Sequence, residues 1–153
     1  MATQARLTDD VIRPDLLLQE LLAAATGAGA IVNFCGLVRP EDHEGRKIEA
    51  LRLDHHPRLT LRSLETIAQD GAERFGLSTC LVVHRFGRIE PGATVVFVGA
   101  AALHRRAAFM GADYLMDRLK SEAMFWKKEE GAAGGQWIEP TNEDRADLLR
   151  WGN

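Results

Sequence analysis

The chain has 153 residues, a length that fits one domain with a sizeable core, and we expect residues 1–153 to form that single domain. Hydrophobic residues make up 46%, and 19 Lys+Arg against 22 Asp+Glu give a net charge of -3. This balance provides no global attraction to nucleic acid or anionic membranes, so neither is an expected partner. No apolar run approaches the roughly 20 residues of a membrane span, and the polar start is unlike a signal peptide, which predicts a cytoplasmic protein.

The first half of the chain begins with residues 1–14, which we expect to form a loosely ordered N-terminus. A short helix is predicted over 15–25, where apolar residues follow a proline and stop before Gly27. The compact apolar run 29–38 predicts a strand because it is partly β-branched. Residues 39–47 are charged and include proline and glycine, which predicts a loop.

The middle of the chain alternates between strand and helix patterns. Period-2 alternation predicts a strand over 48–53, and apolar residues at helical spacing predict a helix over 59–75. The apolar runs 79–86 and 94–100 predict two more strands. Because the Pro-Gly turn in 87–92 joins them, we expect these strands to pair as a hairpin.

The last third begins with the longest predicted helix, 104–122, which has apolar residues at helical spacing and no proline. A flexible loop is expected over 130–135, a short strand over 136–139, and a terminal helix over 142–151 capped by Asn142. The order of elements predicts an α+β domain with a largely antiparallel sheet and flanking helices.

Two cationic features could bind an anion. His104-Arg105-Arg106 stands at a helix start, where exposed amides and the helix dipole favour phosphate, although a solvated basic turn is about equally consistent. Arg39 follows a predicted strand, a common place for substrate groups, but an arginine there is more often a surface ion-pair partner.

Metal and thiol chemistry have weaker support. His55 and His56 are adjacent, and adjacent side chains of an extended chain point to opposite faces, so we predict no metal site. Cys35 and Cys80 have no metal-ligand spacing and are expected to be buried thiols. A nucleophilic role for Cys35 lacks a histidine positioned by spacing, and its apolar neighbours favour packing.

The run LKSEAMFWKKEE, residues 119–130, places Lys120 and Lys127 on the two sides of an aromatic pair. Apolar surroundings disfavour the ammonium form, which can turn a lysine into a proton donor, a proton acceptor or a nucleophile. The alternative is that long aliphatic stems lie on Phe125 and Trp126 while the charges remain in water. In either case we expect the aromatic pair to form a wall beside both lysines.

The length of the predicted helix 104–122 separates the cations at its start from Lys120 near its end. Lys120 is 16 residues after His104, so a continuous helix places them about 24 Å apart. One small substrate cannot contact both within one chain. Either they are separate features, or a symmetric dimer brings the helix start of one subunit to the helix end of the other.

Four stretches together resemble the family of large, catalytic subunits of molybdopterin synthase. They are GAIVNFCGLVR (29–39), VVHRFGRIEPG (82–92), VVFVGAAALHRRAAF (95–109) and MDRLKSEAMFWKKE (116–129), the last followed by GGQWIEP. The resemblance covers nearly the whole chain from about Leu16 onward, and the combination of MD, LK and FWK followed by Glu is specific.

The resemblance implies a sulfurtransferase of molybdenum cofactor biosynthesis with an α/β hammerhead fold and no bound cofactor. Family members convert cyclic pyranopterin monophosphate (precursor Z) to molybdopterin by installing its dithiolene sulfurs. The sulfur comes from a thiocarboxylate on the C-terminal Gly-Gly of a small ubiquitin-like subunit, whose tail enters a pocket of the large one. Two large subunits form a homodimer at the core of a heterotetramer.

The resemblance also implies roles for individual positions. The catalytic positions are Lys120 and Lys127, and the substrate-binding positions add Arg39, His104, Arg105, Lys128 and Glu129. His104 and Arg105 are expected from the neighbouring subunit, and Phe34 and Met116 are expected to line the pocket for the partner's tail.

The sequence departs from the family pattern at two positions. Leu37 stands where some relatives have lysine, and Thr141 stands where some have an arginine that reaches across the dimer, for which Arg145 is a possible substitute. The internal pair Gly134-Gly135 cannot be the sulfur carrier because a thiocarboxylate needs a free chain end.

Two other functions fit the residues. One is a non-catalytic scaffold that binds a ubiquitin-like protein. The other is an unrelated phosphate-ester enzyme that uses His104 and Arg105.

Overall fold

The computed structural model describes residues 2–132 and 134–152, which form eight strands and four helices. The strands are β1 (Ala2–Thr8), β2 (Ala30–Leu37), β3 (Ala50–His55), β4 (Thr79–Arg85), β5 (Gly87–Ile89), β6 (Thr94–Ala102), β7 (Phe125–Gly131) and β8 (Gly134–Ile138). The helices are α1 (Pro14–Ala24), α2 (Leu59–Phe75), α3 (Arg105–Glu122) and α4 (Asn142–Leu149). None of these helices is long and apolar enough to cross a membrane.

The first sheet has the strand order β1-β4-β6-β2. Its pairs are antiparallel except β1 with β4, which are parallel. Helices α2 and α3 cover one face through a core that includes Leu64, Val98 and Leu115. Helix α1 covers the other face, where Leu21 packs close to Gly99. A Cβ at position 99 would lie 2.5 Å from Leu21, so glycine is needed for this helix to approach the sheet.

The second sheet is antiparallel throughout, with the order β5-β3-β7-β8. Its core contains Val38, Leu53 and Ile89. Phe125, at the start of β7, packs against this core and also against the larger core of the first sheet. The two sheets therefore meet at the point where the chain leaves α3 and enters β7.

Most predicted elements are present, with ends shifted by one or two residues. The helix predicted over 59–75 has the same bounds as α2, and Gly76 ends it in a left-handed conformation with φ 61°. The predicted α+β class with largely antiparallel strands is confirmed, although it is divided into two sheets. The hairpin prediction is confirmed as the pairing of β4 with β6, but the connection contains β5, which joins the other sheet.

Three expectations were wrong. Residues 2–8 are not loosely ordered but form β1, because partly buried Ala5 and Leu7 pack on the core while the backbone pairs with β4. Most of the loop expected over 130–135 is strand, since β7 and β8 pair as far as Gly131 and Gly134. Met1 and Ala133, which belong to the two segments expected to be loosely ordered and a loop, lie outside the described residues. The C-terminal Asn153 also lies outside them.

The third correction concerns the last helix. Its N-cap is Thr141 rather than Asn142. The Thr141 hydroxyl accepts a hydrogen bond from the Asp144 amide at 3.0 Å, and the Thr141 amide donates to the Asp144 carboxylate at 2.9 Å. This reciprocal pair is a capping box, with aspartate in place of the usual Glu or Gln.

Candidate active site

A cavity of about 630 Å³ lies where the end of α3, strands β2, β4 and β7, and the start of α4 come together. Lys120 reaches it from the last turn of α3, and Lys127 reaches it from the third residue of β7. The chain changes from helix to strand between them. This change of direction brings the two lysines into one cavity.

Strand geometry decides which β7 side chains enter the cavity. Phe125, Lys127 and Glu129 line it, as expected for alternate residues of a strand. Trp126 does not line it and is 50% exposed, while the Lys128 ammonium lies 5.5 Å from the centre of the Trp137 ring. The expectation of a two-residue aromatic wall is therefore wrong, since Phe125 alone stands beside the lysines in the cavity.

Lys127 has an altered acidity. Burial and, to a smaller extent, the charge of Lys120 lower its pKa to about 8, against an opposing effect of Asp144. A lysine with this pKa is mainly protonated at pH 7 but releases its proton readily. The alternative of a charge held out in water does not fit Lys127. Lys120 is the more exposed of the pair.

His84 is a buried cavity residue that the sequence analysis missed. It is 5% exposed, stacks on Phe125 with ring centres 4.1 Å apart, and its Nδ1–H donates to the Arg85 carbonyl oxygen at 3.0 Å. Burial, against the opposing effect of the hydrogen bond to Arg85 and with a smaller contribution from the charge of Lys127, lowers the pKa of His84 to about 3, so the ring is neutral. A histidine inside an apolar strand gave no functional signal, because such residues are usually part of the core.

The start of α4 adds acidic groups that were also missed. Thr141, Glu143 and Asp144 line the cavity, facing the lysines of α3 and β7. Burial acts to raise the pKa of Asp144, but hydrogen bonds from Thr141 and the charges of Lys120 and Lys127 lower it overall. Thr141, where the sequence departs from the family pattern, lines the cavity next to these two carboxylates.

Several predicted residues lie in the same cavity. Arg39, Glu129, Phe34 and Met116 all line it, and Phe34 is 42% exposed. Cys35 lines it too, and burial raises the pKa of its thiol, which fits packing better than nucleophilic attack.

The structure separates another group of predicted residues from the cavity. His104 and Arg105 are exposed at the start of α3, whose continuous 18 residues keep them far from Lys120. Neither lines the cavity. Lys128 does not line it either, so its substrate contact stays a prediction that the cavity does not support. Arg145 is exposed and donates to the Asn142 side chain at 3.2 Å.

The adjacent histidines make different contacts. The His55 ring lies tilted against the Phe86 ring with centres 4.0 Å apart, whereas His56 Nδ1 accepts hydrogen bonds from the amides of Arg58 and Leu59. Within residues 2–132 and 134–152, no group of three or more His, Cys, Asp or Glu side chains is placed to hold a metal ion.

Comparison with known proteins gives a consistent result. A family model described as MoaE protein matches residues 7–122. A relative from Caulobacter vibrioides named molybdopterin synthase catalytic subunit is 47% identical over 145 residues, which cover 95% of each chain.

Solved structures agree with this match. The molybdopterin biosynthesis MoaE protein from Burkholderia ambifaria superposes with a TM-score of 0.83 at 36% identity, covering 100% of this chain and 99% of that one. A protein-protein complex of subunits 1 and 2 of molybdopterin-converting factor from Helicobacter pylori gives a TM-score of 0.71, covering 90% of each chain, and at 20% identity it shows the shared fold alone. The family match over most of the chain, together with 47% identity to a relative covered to 95%, shows that this chain belongs to the MoaE family, the catalytic subunits of molybdopterin synthase.

Proposed function

We propose that the chain converts cyclic pyranopterin monophosphate (precursor Z) to molybdopterin by transferring sulfur from a protein thiocarboxylate. The observation that supports this most directly is the cavity that holds Lys120 and Lys127 together. Family membership supplies the reaction, and the cavity supplies groups suited to it. Lys120 and Lys127 are the proposed catalytic residues.

The two lysines suit a reaction that develops negative charge. Their ammonium groups attract the thiocarboxylate and the phosphate of the substrate and stabilise charge as sulfur attacks and the cyclic phosphate opens. Lys127, with its pKa near 8, can also give up and recover a proton during turnover. Arg39 and Glu129, in the same cavity, are the proposed contacts to the pterin.

The proposed sulfur donor is a small ubiquitin-like subunit with a C-terminal Gly-Gly thiocarboxylate. Phe34 on β2 and Met116 on α3 line the cavity and would contact its tail. The internal Gly134-Gly135 pair lies in β8, where it has no free carboxyl group to carry sulfur.

A second copy of the chain is proposed to complete the substrate site. His104 and Arg105 are exposed at the far end of α3, where Leu103 and Phe109 are 65% and 61% exposed. Exposed apolar residues around a cationic helix start suit a homodimer contact that carries His104 and Arg105 to the neighbouring cavity. This arrangement would form the core of a heterotetramer with one small subunit at each outer end.

Lys120→Ala tests the catalytic assignment. With precursor Z and thiocarboxylated partner, we expect molybdopterin formation to fall by roughly 10³-fold or more, because an essential charged group leaves the cavity. Circular dichroism and gel filtration should show unchanged folding and assembly. Near-normal turnover would contradict the assignment, and turnover without the partner's thiocarboxylate would favour a phosphate-ester enzyme instead.

A further inference from the structure

The start of α4 places a carboxylate in the lysine cavity. Asp144 is the third residue of this helix, and the capping box fixes its side chain, because the carboxylate accepts from the Thr141 amide while its own amide donates to the Thr141 hydroxyl. The side chain lines the same cavity as Lys120 and Lys127. Asp144 is therefore an anion held in the cavity that also contains the two lysines.

The position of α4 is set by contacts that follow it in the chain. Arg150 donates to the Asp117 carboxylate at 2.6 Å, and the Trp151 indole N–H donates to the same carboxylate at 2.6 Å. The Trp151 ring packs edge-on against Phe75 and Tyr114 at 5.6 and 5.4 Å. Asp117 lies on α3, where Trp151 and Arg150 anchor the C-terminal segment.

Asp117 and Lys120 are three residues apart on α3, and residues at this spacing lie on one face of a helix. The segment that presents Asp144 is thus anchored to the same turn of helix that presents Lys120. These contacts, in addition to the helix cap, fix the position of the Asp144 carboxylate relative to Lys120.

We propose that Asp144 is a positioning residue of the reaction, whose carboxylate supplies the negative charge in the cavity that favours the ammonium form of Lys127. The inference rests on the proposed function, because it assigns Asp144 a part in that same chemistry. Asp144 acts through the lysines and is not itself a reacting group.

The electrostatic environment of Lys127 supports a distinct contribution from Asp144. Burial and the charge of Lys120 disfavour the ammonium form, while Asp144 favours it. Other charged or titratable groups that line the cavity are Arg39, His43, His84, Glu129, Glu139 and Glu143. Cys35 also lines it, but burial raises the pKa of that thiol, so it adds no charge at neutral pH.

The test compares two substitutions of equal length, Asp144→Gln and Asp144→Glu. Both Gln and Glu can accept the capping-box hydrogen bond at this helix position, so they differ mainly in charge. A third variant, Thr141→Ala, removes the hydroxyl of the cap but keeps the Asp144 carboxylate and the amide that donates to it. The set separates the loss of charge from the loss of the cap.

The first measurement is an NMR titration of the Lys127 side chain in the full-length variants, with no substrate present. We expect the Lys127 pKa to fall below the wild-type value in Asp144→Gln and to stay close to it in Asp144→Glu and Thr141→Ala. The same Lys127 pKa in folded Asp144→Gln as in wild type would overturn the proposal. Should Asp144→Gln fail to fold, Asp144→Asn provides the same comparison, since Asn also retains an acceptor oxygen.

The second measurement is turnover against pH with partner and precursor Z. In Asp144→Gln we expect kcat at pH 8 to drop roughly tenfold, with KM within about twofold, and the deficit to shrink toward pH 6, where Lys127 is protonated in either protein. A deficit that is equal at every pH would show a merely structural role. An inactive wild-type protein would refute the proposed function, whereas the NMR titration decides the role of Asp144 independently of turnover.

Discussion

The two ends of helix α3 differ in whether a single chain forms an enclosed site there. At its C-terminal end, Lys120 joins Lys127 in a cavity with a buried neutral His84 and the carboxylate of Asp144. At its N-terminal end, His104 and Arg105 are exposed, and the His104 side chain makes no capping hydrogen bond to the helix. One end is a formed site with an altered lysine pKa, and the other is a set of cations on an open surface.

This difference shows which part of the chemistry a single chain can organise. The cavity end is complete when α3, β2, β4, β7 and α4 of one chain fold against one another. The exposed end acquires a defined environment only when another surface covers it, which is why we propose that it acts in a neighbouring cavity.

The largest effect is expected from removing the charge at the cavity end. Lys127→Met should lower molybdopterin formation by roughly 10²- to 10⁴-fold, the range for loss of an acid-base group. It should also raise the free energy of unfolding at pH 7 by about 1–3 kcal/mol, because a buried ammonium is replaced by an apolar side chain of similar length. Urea denaturation measures the second quantity, and a destabilised Lys127→Met variant would contradict the buried-charge interpretation.

The pH dependence of that stabilisation has a definite sign. The folded-state pKa of Lys127, about 8, lies below the ordinary value of 10.5, so the unfolded chain binds more protons between these values. The contribution of Lys127 to the free energy of unfolding of the wild type therefore rises as the pH increases from 8 to 10.5. The advantage of Lys127→Met should fade across the same interval.

The next largest effect tests the link between the two ends. Lys127→Met and Arg105→Ala should each be inactive alone, but after the two are mixed at equal amounts and their subunits exchanged, activity should recover to about a quarter of wild type. Half of the dimers are then mixed, and each has one site with both residues intact. No recovery after verified subunit exchange would show that Arg105 does not act in the neighbour's cavity.

A smaller, pH-dependent effect is expected at His84. Its pKa of about 3 when folded, against an ordinary 6.5, means that its stabilising contribution is present above pH 6.5 and is lost as the pH falls toward 3. The stability difference between wild type and His84→Gln should therefore narrow by about 1.4 kcal/mol per pH unit below 6.5. His43→Gln, at an exposed histidine, is the matched control.

The smallest effect is expected at Lys128, which alternates with Lys127 on β7. Its ammonium lies over the Trp137 ring, outside the cavity. Lys128→Met should reduce kcat/KM by no more than about fivefold, since exposed cation–π contacts contribute on the order of 1 kcal/mol. A loss as large as that of Lys127→Met would restore Lys128 to the substrate-binding set.

Sequence patterns predicted the parts of the fold that depend on local periodicity. Helix α2 has the predicted bounds, and α3 is continuous as predicted. Because α3 is continuous, His104 and Lys120 lie at its opposite ends and cannot belong to one site within a single chain. The resemblance to the family likewise predicted Arg39, Glu129 and Lys127 as site residues, and all three line one cavity. These features are encoded by residues close in sequence or by motifs that can be matched position by position.

The features that depend on pairing between distant parts of the chain could be determined only from the tertiary structure. Residues 2–8 are too short and polar to be recognised as a strand until β4 provides their partner. The alternation of β7 sends Lys127 inward and Trp126 outward only because the segment pairs with β3 and β8. His84 and Asp144 are separated by 60 residues of sequence, so their meeting at the lysines depends on packing between a sheet and the last helix, which no local pattern contains.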